Sequence, residues 1–173
     1  MRLALKRHPD TRCDAVTAIG VDVARPRTGA LVLSYEATGN IGGLHLPLVT
    51  APTRADELWR DTCFEVFIRP AVAASYFEFN FAPSTRWAAY RFDDYRSSMH
   101  TAEVGAPRVE IESSPGLFTL RAALELESFP LDPWRLGLSA VIEESSGRLS
   151  YWALAHPSGK PDFHHADCFA CEI

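Results

Sequence analysis

The stretch Tyr76-Phe77-Glu78-Phe79-Asn80-Phe81-Ala82-Pro83-Ser84-Thr85-Arg86-Trp87-Ala88-Ala89-Tyr90-Arg91-Phe92 decides the fold. Phe77, Phe79 and Phe81 recur at period two, as do Tyr76, Glu78 and Asn80 between them. That alternation is a strand with one face on a core and the other toward polar surroundings. Pro83-Ser84-Thr85-Arg86 is a turn, so a second strand returns alongside the first. Setting Ala82 against Trp87 pairs Phe81 with Ala88, Phe79 with Tyr90 and Phe77 with Phe92. In this expected register Glu78 faces Arg91 and Asn80 lies beside Ala89, near Trp87. The apolar side chains then share one side, the condition that fixes register in a half-buried sheet. The reverse side is expected to carry Glu78, Asn80, Trp87 and Arg91.

The same pattern extends outward. Thr62 to Arg69 sends Phe64, Val66 and Ile68 inward and turns Cys63, Glu65 and Phe67 toward the polar face. Leu117 to Glu127 and Arg135 to Glu144 alternate in the same way. Shorter strands are expected at Val16 to Val23, Ala30 to Thr38, Arg108 to Glu112, Leu149 to Ala155 and Cys168 to Glu172. Turn-formers recur between them, from Pro26 to Gly29 through Pro130 to Pro133 and on to Pro157 to Pro161. No segment holds a helical period for long; Arg54 to Leu58 is the best short turn of helix. Many short strands with regular turns specify an all-β, antiparallel β-sandwich of about ten strands, immunoglobulin-like or jelly-roll-like. The expected organisation is one domain from Met1 to Ile173.

Composition removes several function classes. The 173 residues carry a formal net charge of -5. Such a chain does not draw in nucleic acid or anionic membrane by its field. The basic cluster from Arg54 to Arg60 is diluted by Asp56 and Glu57. No apolar run approaches the roughly 20 residues that span a bilayer. The first residues lack the roughly 7–15-residue apolar stretch of a secretory signal, so a cytoplasmic location is expected. There Cys13, Cys63, Cys168 and Cys171 are expected as reduced thiols. Cys168 and Cys171 have metal-site spacing, but a structural zinc needs a second pair, and neighbours of odd separation on a strand diverge. No metal is expected.

Aromatic rings cover the apolar face of a sugar, while carboxylate, amide and guanidinium groups bond its hydroxyls. Glu65, Glu78, Asn80, Trp87 and Arg91 supply that mixture on one face. The same residues also read as a plain Glu78–Arg91 cross-strand pair, worth at most about 1 kcal/mol, with Trp87 under a covering loop. The segment His156 to His165 gathers His156, Lys160, Asp162, His164 and His165 in a loop shaped by prolines and glycine, a common carrier of binding groups. Adjacent His164 and His165 diverge on an extended chain, which disfavours a shared metal. Asp56 to Asp61, with Trp59, is either the mouth of a ligand site or a capping turn. Nucleophile-elbow, zinc-protease, phosphate-loop and dinucleotide motifs are missing, and nothing marks Glu65 or Glu78 as a catalytic acid. The chain therefore reads as a non-catalytic binder of a small ligand.

The strings LWRDTCFEVFIRP (58–70), YFEFNFAPSTRWAAYRFDDYR (76–96) and YWALAHPSGKPDFHHADCF (151–169) resemble the bacterial DOMON-like domains. These are similar to family 9 carbohydrate-binding modules and to haem-binding DOMON domains. The resemblance implies a β-sandwich that binds sugar or haem. Sugar-binding members use paired tryptophans, for which Trp59, Trp87 and Trp152 are the candidates here. Those members are generally secreted, so a cytosolic sugar, nucleotide-sugar or cell-wall precursor would suit this chain. The haem alternative calls for a methionine and a histidine on iron, which here means Met99 with His156 or His164. A third alternative is a protein-interaction domain built around Trp59, without a small ligand.

Overall fold

The computed structural model describes residues 1–127, 129 and 133–173. Twelve antiparallel strands form one strongly curled sheet. They are β1 (Arg2–Arg7), β2 (Val16–Ala24), β3 (Ala30–Gly39), β4 (Cys63–Pro70), β5 (Tyr76–Phe81), β6 (Trp87–Phe92), β7 (His100–Thr101), β8 (Arg108–Ser113), β9 (Leu117–Glu125), β10 (Trp134–Glu143), β11 (Leu149–Ala153) and β12 (Cys171–Glu172). Their order is β7-β6-β5-β4-β10-β11-β1-β2-β3-β9-β8, with β12 also on β10. The only helical pieces among the described residues are 3-10 turns at Ile41–Gly43, Leu58–Arg60 and Ala166–Cys168.

β1 is the corner. Arg2 to Leu5 pair with β2, whereas Lys6 and Arg7 pair with β11. The sheet therefore turns from one half to the other within a single strand. The halves close on each other around Leu33, Tyr35, Phe64, Val66, Phe79, Phe118, Leu120, Leu136 and Leu138. Phe64 and Phe118 stack across the gap at 5.7 Å between centroids. The Tyr35 hydroxyl donates to the Glu65 carbonyl at 2.6 Å, so the buried phenol keeps a partner. The inward residues expected on β4 and β9 all take their places in this core.

The hairpin register is shifted by one residue from expectation. Phe81 pairs with Trp87, Phe79 with Ala89, Phe77 with Arg91, Glu78 with Tyr90 and Tyr76 with Phe92. The cause is the turn. The Ala82 amide donates to the Arg86 carbonyl and the Thr85 amide to the Ala82 carbonyl, each at 2.9 Å. The loop is thus the three residues Pro83-Ser84-Thr85, with Thr85 in the left-handed region at φ 69°. Three-residue hairpin loops with a left-handed last residue are a favoured closure. One loop residue fewer exchanges the faces of β6. Trp87 and Ala89 join Phe79 and Phe81 on the core, and Tyr90 and Phe92 move to the reverse side.

Smaller differences concern the ends. β1 and β7 were not expected. The helical turn lies at Leu58–Arg60, one end of the expected stretch, and Cys168 closes a 3-10 turn before β12 instead of starting that strand. The turn from Pro130 to Pro133 falls, except for Pro133, outside the described residues.

Candidate functional site

The reverse side of β4, β5, β6, β10 and β11 carries a second buried cluster, which includes Phe67, Tyr76, Tyr90, Phe92, Val141, Phe163 and Phe169. It lies beneath the loop from His156 to Phe169 and the segment around Asp56 to Trp59. Between these covers opens a cleft of about 930 Å³. Its walls are Phe67, Tyr90, Phe92, Tyr151 and Phe163, with Trp59 and Met99 at exposed positions. Glu65 and Glu78 reach it from β4 and β5, and Arg96, Lys160 and His164 from loops.

Strand periodicity sets this arrangement. Glu65 and Phe67 alternate with the core residues Phe64, Val66 and Ile68, and Glu78 alternates with Phe77 and Phe79. Phe67 pairs with Glu78, and Glu65 with Asn80. Glu65 and Glu78 are only 2% and 5% exposed. The Ser139 hydroxyl donates to Glu65 Oε2 at 2.9 Å, and Asn80 Nδ2 donates to Glu78 Oε1 at 2.7 Å. Burial, reinforced by the neighbouring Glu78, pushes the Glu65 carboxyl well above the ordinary carboxylate range. Burial raises Glu78 likewise, against the opposing pull of Asn80 and Arg96. Two acids removed from water beside each other cannot both ionise cheaply.

His164 ties the loop to the sheet. Its Nδ1 lies 2.8 Å from the Tyr76 hydroxyl, whose oxygen accepts the Arg96 backbone N–H at 3.2 Å. Burial and the nearby Arg96 guanidinium lower the imidazole to about 4, so the ring is neutral near neutral pH. The network assigns the Tyr76 proton to His164 Nδ1 and the ring proton to Nε2. Nε2 faces Glu78 Oε2 at 3.7 Å.

Asp162 organises the loop from within. It accepts from Tyr95 Oη at 2.6 Å, Arg96 Nη2 at 2.8 Å and its own loop's His164 N–H at 3.2 Å. Burial opposes its charge, but the Tyr95 and Arg96 bonds prevail and hold it below the usual aspartate range. Cys168 donates to the Ala155 and Asp162 carbonyls, and burial pushes its thiol up to about 12. It is a structural thiol, not a reactive one. Gly137 on β10 lets the loop close down, since a Cβ there would meet the Cys168 carbonyl at 3.2 Å and the Phe67 Cβ at 3.3 Å.

Of the site residues expected from sequence, Trp59, Glu65, Glu78, Lys160 and His164 border the cleft. Asn80 is fully buried just behind, holding Glu78. Asp162 faces a smaller hollow of about 420 Å³ that shares Arg96, Lys160 and Pro161 with the cleft. The other four lie elsewhere. Trp87 belongs to the core face, with the Arg54 guanidinium 4.3 Å above its ring. Arg91 points from that same face to solvent beside Asp93. Trp152 is in the core, its Nε1 on Ser150, because parity on β11 gives the cleft Tyr151 instead. His156 packs edge-on against His8 and its Nε2 sits 2.7 Å from the Lys6 carbonyl.

The haem alternative meets this geometry directly. Met99 and His164 border the same cleft, but His164 Nδ1 is taken by Tyr76 and Nε2 is directed at Glu78. With Nδ1 engaged by Tyr76 and Nε2 facing a carboxyl 3.7 Å away, the ring does not suit axial ligation. His156 lies outside the cleft lining. Among the described residues, no cluster of three or more His, Cys, Asp or Glu side chains has metal-binding geometry.

Sequence reasoning missed Phe67, Tyr90, Phe92, Tyr151, Phe163 and Arg96 as site residues. Phe67 was legible from its parity with Glu65. Tyr90 and Phe92 were hidden by the one-residue difference in the turn.

No protein-family model and no curated protein matches the chain. Solved structures do. A candidate carbohydrate-binding protein from Bacteroides uniformis ATCC 8492 superposes with a TM-score of 0.69 at 12% identity, over 96% of this chain and 83% of that one. A family 9 carbohydrate-binding module from Caldicellulosiruptor kristjanssonii, in complex with glucose, gives 0.49 at 14% identity over 90% and 76%. The cellotriose complex of such a module from the same organism gives 0.48 at 13% identity over 87% and 75%. The likeness to the Bacteroides protein is one of fold over nearly the whole chain.

Proposed function

We propose that the cleft over Glu65 and Glu78 is a sugar-binding site and that the protein binds its ligand without transforming it. The carrying observation is the composition of the cleft: two buried, hydrogen-bonding acids between five aromatic side chains, with Trp59 and Lys160 at its border. Rings of Tyr151, Phe163 and Trp59 suit the C–H faces of a pyranose, and the acids and Lys160 suit its hydroxyls. The volume accommodates one or a few sugar rings. The fold shared with the Bacteroides protein, itself described as a candidate for carbohydrate binding, supports the reading.

Calorimetric titration with a panel of monosaccharides and short glycans tests it. Saturable heat with at least one sugar is expected, abolished or strongly weakened by Trp59→Ala. No heat with any member at millimolar concentration contradicts it.

A further inference from the structure

We propose that the preferred ligand is an amino sugar, its ammonium group seated against Glu65 and Glu78; this rests on the cleft being a sugar site. Three observations carry the inference.

The first is the unbalanced charge of the lining. Asp56, Glu57, Glu65 and Glu78 face the cleft against two cationic side chains, Arg96 and Lys160. Arg96 is committed to Asp162 and Glu57 to Arg60, each at 2.8 Å and each with its partner outside the lining, which leaves Asp56, Glu65 and Glu78 against Lys160. A neutral sugar leaves this imbalance untouched, whereas a cationic one relieves it.

The second is the absence of a committed cation for the buried pair. Glu65 has Ser139 and Glu78 has Asn80, both neutral donors, each serving one oxygen. The nearest ring nitrogen, His164 Nε2, is 3.7 Å from Glu78 and belongs to a neutral imidazole. Buried carboxylates are normally paired or neutralised. Among the described residues neither acid is paired with a cation, and both border a cavity large enough to admit one.

The third is the surroundings of the pair. Phe67, Phe92, Tyr90 and Phe163 line the same cleft. Aromatic faces attract a cation as readily as they stack on a sugar, most strongly where water is excluded. A group bearing both an ammonium and a pyranose ring uses the acids and the rings together. Binding it exchanges the proton held by the acid pair for the ligand's charge, with that proton released to solvent.

The test titrates the full chain with glucosamine, glucose, N-acetylglucosamine and cyclohexylamine at near-neutral pH and low salt. Glucosamine is expected to bind roughly ten-fold or more tightly than glucose or N-acetylglucosamine, as a charge-assisted bond replaces a neutral one. In Glu78→Gln that preference is expected to collapse, with thermal unfolding showing the variant folded. Glucose or N-acetylglucosamine binding as tightly as glucosamine overturns the inference and leaves the sugar site standing. Cyclohexylamine binding as tightly as glucosamine overturns the sugar reading and the amino-sugar assignment with it. No binding by any of the four overturns the inference outright.

Discussion

The Tyr76 hydroxyl and His164 Nδ1 lie 2.8 Å apart, joining β5 to a loop 88 positions later in the chain. The bond fixes one wall of the cleft, because His164 also packs its edge on Phe67 and Phe92 at 5.0 Å. Tyr76→Phe keeps the ring and its stack on Phe92 but removes the hydroxyl. The expected cost is about 1 kcal/mol, since the Arg96 amide and His164 each lose a partner. Urea unfolding checks the stability. Faster hydrogen exchange at the Arg96 amide and in residues 156–169 checks the loosened loop.

The buried acids give stability a distinctive pH dependence. Both have folded-state values raised above the ordinary 4.5, so the native protein holds protons that the unfolded chain has released. The acids' contribution to stability therefore falls as pH rises from about 4.5 through the raised values, at up to about 1.4 kcal/mol per pH unit for each excess proton. Glu65→Gln and Glu78→Gln together are expected to flatten this decline and to stabilise the protein above neutral pH. His164, lowered to about 4 in the fold, adds stability with rising pH up to about 6.5, so denaturant unfolding from pH 6.5 to 9 is the measurement. A wild-type stability that rises over this range opposes the assignment.

Trp59 and Trp87 separate binding from folding. Trp59 is 47% exposed at the cleft, whereas Trp87 is 5% exposed within the core. Trp59→Ala is expected to change stability by no more than about 0.5 kcal/mol while weakening sugar binding. Trp87→Ala is expected to cost about 3–5 kcal/mol as a core truncation. Arg91→Ala should leave both properties nearly unchanged, because Arg91 is exposed and meets only the equally exposed Asp93 at 3.3 Å. Thermal melts and sugar titrations of the three variants check the pattern.

Gly137 offers a probe of the loop that leaves every polar group of the cleft unchanged. A valine there drives its branched side chain into the Cys168 carbonyl and Phe67. Gly137→Val is expected to lift the loop and weaken sugar binding, with a stability loss of about 1–3 kcal/mol from overpacking. Increased proteolysis between residues 156 and 169 should accompany it.

The balance between what the sequence discloses and what it conceals follows from physical range. Period-two alternation is local, so the strands β4, β5, β9 and β10 and their inward residues are legible directly. β1 is concealed because its burial is largely polar on both sides: only Leu5 is buried, and its role as a corner depends on two partners far away in sequence. The hairpin shows how much rests on one turn residue. Thr85 in a left-handed conformation shortens the loop by one and moves Trp87 into the core and Tyr90 into the cleft. Nothing in the side-chain pattern forces that choice, since either register leaves aromatic residues on both faces. The acids were legible as members of one face. Their isolation from water was not, because it depends on the 156–169 loop folding back over Gly137.

The most direct measurement is a crystal structure of the protein soaked with glucosamine or glucose at saturating concentration. A sugar ring in the cleft, with a polar group within hydrogen-bond distance of Glu65 or Glu78 and an aromatic ring against its face, is the expected result. Sugar ordered on another surface, with only water over the two acids, would contradict the assignment of this site.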